Sequence, residues 1–144
     1  MLENLKTTKY NDGTEIPNIS SFVRDYSVTT CYDTIPFYTW VDDDISNKDI
    51  YGVLYNWGTV NSGKLCPSGW HVPSDDEWRT LFDYLINNGY GYKGDAEAIA
   101  KSMAATSGWV STKDEGSVGN DQGSNNSSGF TATPGGYRSY VGPF

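Results

Sequence analysis

Histidine and cysteine are nearly missing from this chain. His71 is the one imidazole, and Cys31 and Cys66 are the two thiols among 144 residues. A lone imidazole leaves no zinc constellation of the usual His/Cys kind, and no Cys-x-x-Cys pair occurs. Basic residues are few as well, ten Lys and Arg against eighteen Asp and Glu, and they are scattered singly. A net charge of −8 with no basic stripe to neutralise phosphates excludes a nucleic-acid partner. No apolar run approaches the roughly 20 residues that span a bilayer, so no membrane span is expected. The start also lacks a charged segment followed by an apolar stretch. Met1 to Lys6 reads as an amphipathic strand of the fold, which places any export signal upstream.

The chain is rich in rings and glycine: 11 Tyr, 5 Trp and 16 Gly, with aromatics at 15%. Large rings, small residues and few charges suit an irregular, loop-rich domain containing β structure better than a helical bundle. The length fits one domain, residues 1–144, able to bury a core. No repeat or linker divides it.

The clearest local signal is a helix start at Ser74. Ser74 can cap, Glu77 is three residues on for a reciprocal capping box, and Pro73 keeps the entry extended. Trp78, Leu81, Phe82, Leu85 and Ile86 follow at helical spacing, and Gly89 stops the helix near Asn88. A second helix is expected over Ala96 to Ala105, capped by Asp95, with Ile99 and Met103 as its apolar positions. Met1 to Pro17 reads as strand and turn, with Asn11-Asp12-Gly13 as the turn. Ile19 to Trp40 is β-prone but interrupted at Asp33-Thr34-Ile35-Pro36. Residues 42–49 form an acidic loop, and Tyr51 to Trp57 fits a strand or a short helix equally. Ser107 to Ser128 is a long polar excursion of the kind usually exposed. Gly129 to Arg138 restores a β-like pattern around Pro-Gly-Gly. Trp70, Trp78, Tyr51, Leu54 and Trp57 are assigned to the core.

Few residues offer chemistry. His71, between Trp70 and Val72, reads as structural, since nothing in the sequence supplies its nucleophile or carboxylate partner. Asp42-Asp43-Asp44 and Asp114-Glu115 lack the spacing of a helix-loop-helix calcium site and read as solvated loop charge; no metal is expected. Asp75, Asp76 and Glu77 complement the helix dipole. The two cysteines fit one disulfide, two free thiols, or bridges to something absent. The rings remain. Trp109 lies in the polar excursion, and Tyr137 and Tyr140 flank Arg138. Exposed rings beside an Arg form a platform for a sugar or a peptide, so Trp109, Tyr137, Arg138 and Tyr140 are the candidate ligand-binding residues.

Four segments carry a resemblance. Trp70-His71-Val72-Pro73-Ser74-Asp75-Asp76-Glu77-Trp78 resembles the Trp-x-x-Pro-(Ser/Thr)-x-x-Glu-Trp element of the Fibrobacter succinogenes major paralogous domain family. Glu3 to Gly13 resembles its opening strand, Tyr51 to Trp57 its Tyr-Gly-x-Leu-Tyr-Asn-Trp element, and Gly129 to Arg138 its Gly-Phe-x-Ala-x-Pro-Gly-Gly-Tyr-Arg element. The family is related to the formylglycine-generating, sulfatase-modifying-factor branch of the C-type-lectin-like folds. The resemblance therefore implies an α+β fold of that architecture, with two helices packed on small, mostly antiparallel sheets and long loops. Family domains continue for several more strands, with a final cysteine that could pair with the position of Cys66. The chain is accordingly read as either a fragment of the domain or a natural short variant whose sheet another copy completes, and a homodimer through the incomplete sheet is one expected consequence. The resemblance also implies a secreted or surface-attached bacterial protein. The related enzymes place their working cysteines late in the fold, so no catalytic role passes to Cys66. The reading is a non-catalytic binding or adhesion module without a cofactor, its ligand a glycan or a protein. The alternatives are a diverged formylglycine-generating-like enzyme and a self-associating structural subunit.

Overall fold

Asn11-Asp12-Gly13 turns the chain back on itself. Gly13 takes φ +85°, the left-handed value that a side chain disfavours. The Asp12 carboxylate accepts from the Thr14 N–H at 2.9 Å, and Tyr10 N–H donates to Thr14 O at 2.9 Å. Lys9 bridges Glu15 in the antiparallel sense, so the expected turn closes a short hairpin through an isolated bridge, while residues 4–7 of the expected strand form no strand. The computed structural model describes residues 4–19 and 34–138. Within them the chain forms two units, 4–72 with 135–138 and 73–134.

In the first unit, Tyr51 to Trp57 is neither one strand nor one helix. Helix α1 (Lys48–Tyr51) ends at Gly52, strand β2 (Leu54–Tyr55) follows, and helix α2 (Trp57–Val60) begins at once. Gly52 makes the break. Its φ is +76°, and a Cβ there would lie 2.7 Å from Asn4 Cβ and 2.8 Å from Leu5 O. Strand β1 (Tyr38–Thr39) pairs antiparallel with β2, Tyr38 opposite Tyr55 and Thr39 opposite Leu54. Pro17 and Ile19 bond to the other side of Tyr38, and Val53 N–H donates to Leu5 O. The core is Ile16, Tyr38, Trp40, Val53 and Leu65, with Leu5, Tyr10, Tyr55 and Val60 packed against it. Tyr38 and Trp40 meet edge-on at 5.2 Å. Trp57 and Trp70, expected in this core, are 61% and 77% exposed, while Tyr51 and Leu54 are half-buried. Trp57 is the first residue of α2 and Trp70 closes a Pro67-Ser68-Gly69-Trp70 turn. Both are places where the backbone holds a side chain away from the packed layer.

In the second unit, helix α3 (Asp75–Asn87) has the expected bounds and the full capping box. Ser74 Oγ accepts from Glu77 N–H at 3.3 Å, and Glu77 Oε2 accepts from Ser74 N–H at 2.8 Å. Leu85 is its one fully buried residue, and Trp78 packs on Phe82 and Phe130 with ring centroids 5.9 Å apart. The second expected helix shrinks to one turn, α4 (Ala100–Met103), with Ile99 rather than Asp95 at its N-cap. A competing local turn at the start and non-local pairing at the end override the alanine propensity. Asp95 is held in a turn, its N–H donating to Tyr92 O and its carboxylate accepting from Glu97 N–H. Ala104 is extended because it pairs with Ala132, with Ala105 N–H donating to Ala132 O and Ala132 N–H to Met103 O, both at 2.8 Å.

The fold is mixed α and β, with one small antiparallel sheet and few helices among the described residues. Among those residues no helix is long and apolar enough to cross a membrane.

Candidate functional site

Arg138 is the most constrained of the candidate residues. Its Nη1 donates to Asp43 Oδ1 at 2.6 Å, to Thr39 Oγ1 at 3.0 Å and to Ile19 O at 3.3 Å. Thr39, 2% exposed, donates its hydroxyl hydrogen bond to the same Asp43 oxygen at 2.6 Å. The guanidinium and carboxylate side chains are only 16% and 30% exposed, so this pair is far less screened than a surface bridge. Asp42 and Asp43 both adopt left-handed φ, 56° and 55°, a region that Asp enters more readily than most residues bearing a Cβ.

The acidic run is therefore largely committed. Asp43 binds Arg138 and Thr39, and Asp44 accepts from Ser46 N–H at 2.9 Å, a bond that lowers the Asp44 pKa. Glu115 pairs with Lys93 and lies 3.5 Å from the Tyr92 hydroxyl. Its pKa is lowered, chiefly by the hydrogen bond from Lys93. Among the described residues no three His, Cys, Asp or Glu side chains gather as a metal-ligand group.

Tyr137, beside the anchored Arg138, leaves its ring 79% exposed. Two further open rings belong to the same unit, Trp57 and Trp70. The backbone beneath Trp57 is tied by Asn56, whose Oδ1 accepts from Phe37 N–H, Thr59 N–H and Thr59 Oγ, and whose Nδ2 donates to Ile35 O. Beneath Trp70, the N–H donates to Pro67 O at 3.0 Å after Gly69 at φ +85°. Sequence reasoning missed both because an aromatic in a helix-start motif reads as core. The available signal was position, an N1 residue straight after an Asn cap and a residue closing a Pro-x-Gly turn.

Trp109 belongs to the other unit and is half-buried. Its indole N–H donates to Ala105 O at 3.1 Å, and the Gln122 side-chain amide bonds both its backbone N–H and its C=O at 3.0 Å. Trp109 thus anchors its loop. Tyr140 lies outside the described residues, as does Cys31, so the Cys31–Cys66 pairing falls there too. Cys66 is a half-buried thiol whose carbonyl accepts from Asn11 Nδ2.

The polar excursion, expected to be exposed, is braced from within. Lys101 and Asn125 are 5% and 6% exposed, and Lys101 Nζ donates to Asn125 Oδ1 at 2.8 Å. Asn125 Nδ2 reaches Ala105 O at 3.0 Å and Val118 O at 2.9 Å. No hydrophobic pattern marks this centre, because its members are polar.

No curated protein and no solved structure matches the chain. A family model does, over residues 1–144, and the hairpin, the capped helix α3 and the Arg138 segment all lie within that span. The chain belongs to the Fibrobacter succinogenes major domain family.

Proposed function

We propose that this domain is a non-catalytic binding or adhesion module of a secreted or surface-attached bacterial protein, with a C-type-lectin-like architecture and a glycan or protein as ligand. One observation carries the reading: Trp57, Trp70 and Tyr137 are 61–79% exposed, Trp57 after a bonded Asn56 cap, Trp70 on a closed turn and Tyr137 beside the anchored Arg138. Large rings held open to water cost solvation free energy, and stacking on a sugar face or an apolar side chain recovers it. Rigid display also lowers the ordering cost of association. Tyr137 makes direct contact, Arg138 fixes the segment that carries it, and Trp109 sets the conformation of the polar loop.

The test is a binding titration followed by intrinsic tryptophan fluorescence, with oligosaccharides in one arm and surface proteins in the other. Binding by the wild type that is lost in Trp70→Ala or Tyr137→Ala, with thermal unfolding unchanged, supports the module. Binding that survives both substitutions contradicts this site.

A further inference from the structure

Lys101 puts an amine where few lysines sit, 5% exposed and surrounded by neutral oxygens. Its Nζ is 3.3 Å from Ser117 O, 3.4 Å from Asp121 O and 2.8 Å from Asn125 Oδ1, and it also bonds Asn120 O. The Tyr92 ring lies 5.9 Å away and offers its electron-rich face. No carboxylate pairs with Lys101 among the described residues. Carbonyl and amide oxygens converging on one positive centre are what a protein otherwise assembles around a small monovalent cation.

Asp121 and Asn126 take left-handed φ values of 45° and 68°, a region that Asp and Asn enter more readily than other residues bearing a Cβ. Asp121 O faces Nζ and also accepts from Ser124 N–H and Ser124 Oγ. Asn126 N–H donates to Lys101 O at 2.9 Å, so the lysine backbone and its side chain both hold the loop.

We propose that loop 117–125 is folded around a cation supplied by the chain itself. Lys101 Nζ occupies a monovalent-cation site built from oxygens of Ser117, Asn120, Asp121 and Asn125, and truncating the side chain opens that site to ammonium or a small primary amine. The loop, which also places Gln122 on Trp109, therefore needs no divalent ion for its order. This goes beyond the binding reading and stands apart from it, since its readouts are stability and local exchange.

The experiment uses the full chain as wild type, Lys101→Ala and Lys101→Met. Thermal unfolding is followed in ammonium, ethylammonium and tetramethylammonium chlorides at equal ionic strength, and with a chelator. The wild type is expected to melt at one temperature in all of them. Lys101→Ala gains melting temperature saturably in ammonium or ethylammonium and not in tetramethylammonium, which is too large for the site. Should Lys101→Ala be unfolded in tetramethylammonium, refolding on addition of ammonium is the same result, and failure to refold overturns the proposal. Lys101→Met fills the site with uncharged atoms and gains nothing from any salt. In Lys101→Met the amides of Asn120, Ser124 and Asn125 exchange faster by on the order of tenfold or more, while those of Tyr10 and Ile16 in the other unit keep their rates. Equal melting of Lys101→Ala in ammonium and tetramethylammonium, unchanged loop exchange in Lys101→Met, or a chelator-induced fall in the wild type overturns it.

Discussion

At the scale of single residues, buried polar groups decide more than the aromatic count suggests. Arg138 and Asp43 share one partly buried ion pair with Thr39 between them. A double-mutant cycle on Arg138→Met and Asp43→Asn, read by urea unfolding, is expected to give a coupling of about 2 kcal/mol, and additive effects contradict the pair. Tyr10 gives the opposite case, for its hydroxyl is buried with no hydrogen-bond partner among the described residues. Tyr10→Phe removes an unsatisfied group, so it is expected to leave stability unchanged or to raise it by up to about 1 kcal/mol in the same assay. Arg138 stood out in the sequence as a ligand contact, and its carboxylate partner did not, because Asp43 is 95 positions away. Lys101 gave no sign at all. A lysine in an alanine-rich stretch reads as a solvated helix face, and its oxygen partners come from a loop whose path the sequence does not encode locally.

At the scale of elements, what was legible is what local chemistry fixes. Helix α3 carries its cap, its capping-box partner and its apolar spacing within one stretch, and its bounds follow. Ser74→Ala should cost about 1 kcal/mol in urea unfolding, since it removes the acceptor of Glu77 N–H. The Asn11-Asp12-Gly13 turn is equally local. The short α4 is not, because Ala104 and Ala105 are claimed by Ala132 across a long separation. The break at Gly52 is intermediate: the glycine is visible in the sequence, but the crowding by Asn4 and Leu5 that requires it is not. Gly52→Ala meets both a positive φ and a backbone atom at 2.8 Å. It is expected to lower the melting temperature sharply, more than Gly13→Ala, where nothing lies within 4 Å.

At the scale of the whole molecule, charge sets a mild pH dependence. Asp12, Asp44 and Glu115 titrate below their ordinary values, Asp12 and Glu115 chiefly through hydrogen bonds from Lys64 and Lys93 and Asp44 through the Ser46 N–H. Their contribution is present above the unfolded carboxylate range of about 3.9–4.3 and is lost as pH falls below it through the folded values. Lys9, Lys64 and Lys93 titrate above their ordinary value, each chiefly through a hydrogen-bonded carboxylate. Their contribution is full below an unfolded value of about 10.4 and is lost as pH rises through the folded ones. All six groups are exposed to solvent, so melting temperature should be flat near neutrality and fall only at both extremes, and salt should shrink both falls. Among the described residues the small sheet is flanked by backbone bonds at Tyr38 on one side and Val53 on the other, as a binding module that closes its own sheet needs. Light scattering with and without reductant is expected to give a monomer.

The most direct test of the binding role is an array carrying glycans and cell-surface proteins, probed with wild type, Trp70→Ala and Tyr137→Ala. Saturable binding by the wild type is expected to fall at least tenfold, a loss of about 1.4 kcal/mol or more, in each variant at unchanged melting temperature. No binding to either class, or binding indifferent to both rings, would contradict that role.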